Sequence, residues 1–491
     1  MLHTLIRQEL VGHLMSARFL AAVVITLLLV VANTVVLIDA HENRVASYSQ
    51  QAKVHREKAV EAETYSQLEL FVERPPNPLS LLSAGLEKRL GTTVEIYHGE
   101  VPTISSVSAR NLENPYLNLF SQIDLVSIFQ VVLSLLALLF AYDAIAGDWE
   151  SGTLRLVISH PVRRGTILFA KYLAAMVCLL LPVLMSLLIV MLQLSLASSI
   201  QLDATDFLRV GGIVGTTIVY LSVFYLIGLL ISTMTRRTAT SLMLCMFLWV
   251  VLVLVYPNWS RFTLNPVGDM RAERQSANQQ INQIWEEVER EEQRFLANSP
   301  LEGEPPRFNI GYSGSSSSSD RRYGFNMIKV NADSEPSLPH FQNYQAFIGT
   351  THIRAAEKAG LINEQRLART TIRQATWDER LMKFSPASLY TFATSAWAGT
   401  DMNGMLDFVG AVQAYRQILI DYLHDKDAFA SRRWFASDQG AVDWWDLPQF
   451  RFARADVSEN AQRALPDVSI LFLMNLVLFM VSFLIFIRVE V

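Results

Sequence analysis

The chain has 491 residues, of which 51% are hydrophobic and 18% charged, and a formal net charge of −5. A soluble chain carries about 25% charge; here the deficit is gathered into long apolar blocks separated by polar stretches, which excludes an ordinary soluble enzyme and reads as a polytopic membrane protein. The small net charge gives no footing for a nucleic-acid partner, and the two cysteines, Cys178 and Cys245, both fall in apolar runs, so no disulfide framework holds the polar regions.

Residues 1–18 place Leu2, Leu5, Ile6, Leu10 and Leu14 at helical spacing, with Arg7, Gln8, Glu9 and His13 between them. That pattern predicts an amphipathic helix lying in the membrane interface, or else an extension of the first span. Crossing a bilayer takes about 20 apolar residues at ~1.5 Å each. Six runs qualify: 19–38, 123–142, 167–196, 210–232, 240–256 and 468–487. The first is too long for the core of a secretion signal and has no small-x-small site before Asp39, so it reads as a retained anchor. The third is longer than needed, which predicts a tilt or a bend near Pro182, and Pro257 closes the fifth.

Arg7, Arg18, Arg155, Arg163, Arg164, Lys171, Arg236, Arg237 and Arg488 all fall on the same side of this six-span plan. Short loops rich in Arg and Lys stay cytoplasmic, so both termini and segment 143–166 are expected inside, and the polar stretches 39–122 and 258–466 outside.

Within the first insertion, 42–72 favours helix and 92–97 a short strand. In the second, 270–297 sets Ile281, Ile284, Val288 and Phe295 near a heptad seam, which serves a partner, a second copy, or (the favoured alternative) packing within the domain. Further helices are expected at 352–383 and 403–430 and a strand at 325–330, with Ser313–Ser319 as a flexible loop. Together the insertions predict a helix-rich α+β extracytoplasmic domain. Trp434, Phe435, Trp444, Trp445, Phe450 and Phe452 read as core or an interfacial belt, in preference to a grip on an apolar or sugar-bearing ligand.

The chemistry of the spans is mostly exclusion. They are nearly free of Asp, Glu, Lys, Arg and His, which argues against a proton- or ion-coupled carrier. Asp143 sits at a span end, and Gln130 and Gln193 read as helix–helix hydrogen-bonding groups. Neither a His-Glu-x-x-His zinc motif nor a phosphate-cradling Gly-x-x-x-x-Gly-Lys-Ser/Thr loop occurs. His340, His352 and His424 lack metal-ligand spacing. No catalytic residue, metal site or cofactor is expected in this chain, and energy for transport must come from a separate subunit.

The most informative stretch runs from Asp148 to Lys171. Asp148 is placed to N-cap a short helix, with Trp149, Leu154, Val157 and Ile158 on an apolar side, Glu150, Arg155 and Ser159 toward water, and Pro161 as the stop. Two turns are marginal alone and gain stability by docking into a partner's groove; a plain surface loop is the alternative.

The pattern Glu150-x-Gly152-Thr153-Leu154, then Pro161-x-Arg163-Arg164, then Lys171 resembles the ABC-2 family of transporter permeases, including those of gliding motility and nitrous-oxide-reductase maturation. The resemblance implies that Asp148, Trp149, Glu150, Gly152, Thr153, Leu154, Pro161, Arg163 and Arg164 engage an ATP-binding subunit, which holds ATP and Mg. It further implies a second permease subunit, identical or a sister chain, in a bacterial inner membrane. Family members with large insertions carry stretches like 75–86. Export, or mechanical work on an extracytoplasmic partner protein, is expected, with membrane lipid around the spans. The rival reading is a membrane-anchored sensor or scaffold that binds a ligand outside and recruits a signalling protein inside.

Overall fold

The computed structural model describes residues 2–68, 70–87, 92–96, 101–103, 123–154, 163–197, 200, 202–257, 267–299, 309–313, 325–329, 338–367, 380–434 and 439–488. Among them, six helices are long and apolar enough to span: α2 (Ala17–Glu61), α3 (Leu125–Glu150), α4 (Arg164–Leu196), α5 (Ala204–Met234), α6 (Thr238–Val255) and α11 (Val457–Arg488). The chain is an α-helical polytopic membrane protein with little sheet. A shorter helix, α1 (Leu2–Leu14), precedes them. Between α6 and α11 come α7 (Val267–Asn298), α8 (Leu338–Leu367), α9 (Pro386–Ala398) and α10 (Met402–Asp425).

The spans overrun their apolar runs because nothing in the flanking polar sequence breaks a helix. Ser16 caps α2 by accepting from the Phe19 N–H at 3.2 Å. From there α2 continues for 45 residues, about 68 Å at ~1.5 Å per residue, so residues 42–61 of the expected 42–72 helix continue the first span. Pro182 and Pro466 are absorbed inside α4 and α11 without ending them.

α3 and α5 are the enclosed helices, and Tyr220, Leu221, Val223, Phe224 and Tyr225 of α5 are all buried. α3 takes a π-helical turn at Phe129–Leu133 and loosens over 142–145 before resuming at Ala146–Glu150. There the Ile145 and Ala146 N–H groups donate to Ser232 Oγ of α5 at 3.0 and 2.9 Å. The hydroxyl satisfies donors that a membrane interior would otherwise leave unpaired.

α9 is a helix that the sequence reading did not single out. Its 13 residues reach about 20 Å, too short to cross a ~30 Å hydrocarbon core. It nonetheless packs among the spans. The Tyr390 ring stacks on Tyr220 with centroids 4.3 Å apart, and its hydroxyl pairs with Thr217 at 2.9 Å. Thr391 donates to Gln130 Oε1 at 3.1 Å, which gives Gln130 the helix–helix role expected of it. Gly399, at φ +68, ends α9 in the left-handed region.

The two insertions pack on each other at the far end of the bundle. β1 (Leu70–Glu73) pairs antiparallel with β2 (Thr93–Ile96), Leu70 opposite Ile96. Leu70–Glu73 is therefore extended, not the end of a helix: Val72 is buried opposite Val94, and strand pairing at this edge overrides the local helical preference. β3 (Asn309–Ser313) pairs with β4 (Phe325–Lys329); the remainder of the serine run lies outside the described residues. One core joins Ala59, Val72, Val94, Phe408, Val412, Leu419 and Trp434 across both insertions. Trp434 and Trp444 are buried in it, and Phe450 and Phe452 pack edge-on against Phe408, while Trp445 is 83% exposed; Phe435 lies outside the described residues. The aromatic stretch is thus mostly core. The heptad seam of α7 is covered by α8, with Val288 beside Tyr344 and Ile348, and Phe295 stacked on Phe347 at 4.5 Å, so it packs within the domain. Residues 78–81 form a 3-10 turn that sets Leu79, Leu81 and Leu82 into the bundle core.

Candidate functional site

The site is the tip where α3 turns back toward α4. Because α3 runs through Gly147 to Glu150, there is no fresh helix start at Asp148, and the expected N-cap is corrected: Asp148 lies within the helical turn and faces inward. Its Oδ2 meets Lys171 Nζ of α4 at 3.1 Å, and Glu9 Oε1 of α1 meets the same ammonium at 2.8 Å. Lys171 is only 8% exposed. A long aliphatic stem lets the charge sit beneath the surface so long as carboxylates accompany it.

The triad also shows which way α1 faces. Glu9 and His13, which lie between its apolar residues, both turn to the bundle with Leu10, the His13 ring 4.8 Å from Phe140, while Arg7, Gln8, Val11 and Leu14 stay exposed. Burial lowers the His13 pKa, helped by the Lys171 charge and opposed by Glu9 and Asp143. No apolar pattern reveals such a triad. The one signal was a lysine lying a full turn inside an apolar run.

Leu154 is 1% exposed and belongs to the bundle core. Its expected place on a docking surface is corrected accordingly: the chain reverses at Gly152, which swings Leu154 back into the bundle. Trp149 is half-buried against the same core, with the Arg236 guanidinium 5.2 Å above its ring. Glu150 is exposed but occupied, since its Oε2 accepts from the Thr238 N–H at 2.9 Å and the Thr238 hydroxyl at 2.7 Å. A carboxylate at that point meets the positive end of α6. Arg164 donates to the Ile487 carbonyl at the end of α11 at 2.8 Å. Arg163 is exposed at the start of α4. Pro161, with Arg155, Val157, Ile158 and Ser159, lies outside the described residues.

What remains open to a partner is small and well supported. Glu150, Ser151, Gly152 and Thr153 form an exposed tip, with exposed Arg236 over Trp149 and exposed Arg237 near Glu150, and Arg163 is exposed at the start of α4. The tip is braced by its own hydroxyls, Ser151 Oγ donating to the Gly147 carbonyl at 2.7 Å and Thr153 Oγ1 to Asp148 Oδ1 at 3.3 Å. Gly152 has φ +72 and nothing near its missing Cβ. Gly152→Ala is therefore expected to cost about 1 kcal/mol from backbone strain alone, read as a modest loss of thermal stability. A fall no larger than that of Ser151→Ala would contradict the strain.

At the opposite end a second charged cluster joins the insertions to the bundle. Asp206 of α5 is fully buried and pairs with Arg209 at 2.8 Å and Arg454 at 3.1 Å. Arg454 also donates to Asn77 Oδ1 at 3.1 Å, and Asn77 Nδ2 to the Ala398 carbonyl of α9 at 2.7 Å. Asp206 and Arg209 lie just before the apolar run of α5, so the count of charges within spans did not register them.

The family described as ABC-2 family transporter protein matches residues 3–491. Two curated proteins are similar over short stretches. The probable ABC transporter permease protein NosY of Stutzerimonas stutzeri is 44% identical over 61 residues, 12% of this chain and 22% of that protein. NosY of Pseudomonas aeruginosa is 46% identical over 50 residues, 10% of this chain and 18% of that protein. The matched stretches thus cover about a fifth of the length of these relatives.

Proposed function

We infer the working of this chain from the family to which it belongs, the ABC-2 transporters, and propose how its tip takes part. A member of that family is the membrane-spanning subunit of a transporter and implies a separate ATP-binding subunit. In the proposed arrangement that subunit, carrying ATP and Mg, docks on segment 148–161 and its flanking arginines. A second permease subunit, identical or a sister chain, completes the membrane core. The chain lies in the bacterial inner membrane with both termini and the tip in the cytoplasm and both insertions outside. The work done is export, or mechanical action on a partner outside the membrane.

One observation carries this reading: the small exposed tip is bonded to two spans, and one of these to a third. Asp148 holds α4 through Lys171, Glu150 holds the start of α6, and Arg164 at the start of α4 holds the end of α11. A push on the tip reaches α4 and α6 directly and α11 through α4, and a packed interior transmits it because it does not deform continuously. A passive surface loop needs no such bracing.

The test uses exposed residues outside the bundle core, since substituting buried Leu154 would report on folding. Arg163→Glu with Arg237→Glu is expected to weaken co-purification of the cognate ATP-binding subunit at least about tenfold, ~1.4 kcal/mol, with the permease still at wild-type levels in the membrane. Undiminished complex and undiminished coupled ATP hydrolysis would overturn the docking.

A further inference from the structure

A small polar cavity of about 10 Å³ lies where the insertions meet α5, α9 and α11. Arg74, Arg209, Arg454 and Arg463 line it with Asp407 and Asn460. Most of their polar atoms are paired within the protein. Arg463 holds Asp407 through two bonds of 2.8 and 3.1 Å, Arg454 donates to Asn77 and Asp206, and Arg74 donates to the Gly399 carbonyl at 3.2 Å. Arg209 gives its two terminal nitrogens to Asp206 at 2.8 Å and to the Ala455 carbonyl at 2.6 Å. Two side-chain atoms of these residues are left over: Arg209 Nε and Asn460 Oδ1 are buried and bond to no protein atom. Arg209 is 4% exposed and Asn460 2%, so bulk water does not reach them. The first can only donate and the second only accept. Leaving such atoms unmet is costly, and native interiors meet them with protein or with ordered water.

We propose that this cavity binds one water molecule, which accepts from Arg209 Nε and donates to Asn460 Oδ1. The volume suits a single water, and two polar partners are enough to hold one. The opposite characters of the two atoms select the occupant. A halide accepts from Arg209 but stands against the Asn460 oxygen. A metal cation is ligated by that oxygen but faces four guanidinium groups. Turning the Asn460 amide over does not rescue the halide: the amide nitrogen already donates to the Trp397 carbonyl at 3.3 Å, and the reversed amide sets oxygen against oxygen. The water ties Arg209 of α5 to Asn460 of α11 and, through the Asn460 amide, to the end of α9. The site does not depend on the transport reading, because it rests on the cavity and its two unmet atoms.

The experiment images the full chain in lipid nanodiscs by electron cryo-microscopy, at a resolution that shows ordered waters elsewhere in the insertions. One solvent peak is expected about 2.7–3.2 Å from both Arg209 Nε and Asn460 Oδ1. Asn460→Leu is expected to remove that peak and to leave the Arg463–Asp407 pair in place. Exchange of chloride for gluconate at equal ionic strength is expected to leave the thermal midpoint of the wild type unchanged, because a halide bound only to the folded state raises the midpoint with its concentration. A map with no peak between the two atoms, a peak that persists in Asn460→Leu, or a midpoint that climbs with chloride would each overturn the proposal. If Asn460→Leu does not fold, the wild-type map and the chloride exchange decide between water and halide on their own.

Discussion

Replacing Lys171 with Met is expected to destabilise the protein far more than removing either of its acidic partners. In the native arrangement one ammonium serves two carboxylates, Glu9 on α1 and Asp148 at the tip. Taking away Glu9 leaves a balanced Lys171–Asp148 pair; taking away Lys171 leaves two like charges facing each other in a half-buried site. Breaking a buried pair from one side costs about 3–5 kcal/mol, and the partial exposure of both carboxylates puts Lys171→Met near the lower end. Replacing a whole ion cluster by neutral groups is far milder than halving it. The triple variant Lys171→Met, Glu9→Gln, Asp148→Asn is therefore expected to recover most of the loss. Thermal unfolding of detergent-purified protein ranks the three cases, and protease cleavage within residues 2–14 reports release of α1. If Lys171→Met proved no worse than Glu9→Gln, the triad would not hold α1 in place.

The second large effect is expected at the other end of the bundle. Among the described residues, Asp206 is the carboxylate that pairs with both Arg209 and Arg454, and it is fully buried. Asp206→Ala removes the counter-charge that the two guanidinium groups share, at a cost of about 3–5 kcal/mol. Because Arg454 also anchors Asn77, and Asn77 the end of α9, the damage spreads to the junction of both insertions with the spans. Enhanced proteolysis between 439 and 456, together with a lower level of protein in the membrane, is the expected readout. Arg454→Gln, which removes the more exposed cation and leaves Asp206 with Arg209, is expected to be milder. Equal losses from Asp206→Ala and Arg454→Gln would contradict this account.

Both clusters mark where the sequence stopped being legible. The spans were readable because a bilayer imposes a length on any helix that crosses it, and an unbroken apolar run of that length has few other uses. The order of spans and insertions follows from the same constraint. α9 escaped because its Ala, Ser and Thr residues spell neither a span nor a soluble amphipathic helix; its place is set by Tyr390 meeting Tyr220 and Thr217, residues 170 and 173 positions away. Leu154 was legible as apolar but not as buried, since a leucine on a docking face and one in a core look alike along the chain. Gly152 decides between them, because its left-handed turn sends the next residues back toward the bundle. Asp148 and Glu150 were singled out as contacts for a partner, yet both are occupied by neighbours within the chain, and the ion pair to Lys171 and the hydrogen bonds from Thr238 have no periodicity to betray them.

The length of α2 has a geometric consequence. Its base is fixed by Ser16 and by the 2.8 Å pair between Arg18 and Asp143, and its far end by Ala59 in the core of the insertions. A single unbroken rod of this kind cannot shift at its foot without sweeping an arc at its crown: a tilt of about 5° over ~68 Å displaces the crown by ~6 Å. Small rotations beside the lipid are thereby magnified into strokes large enough to open or shut a contact well beyond the headgroups.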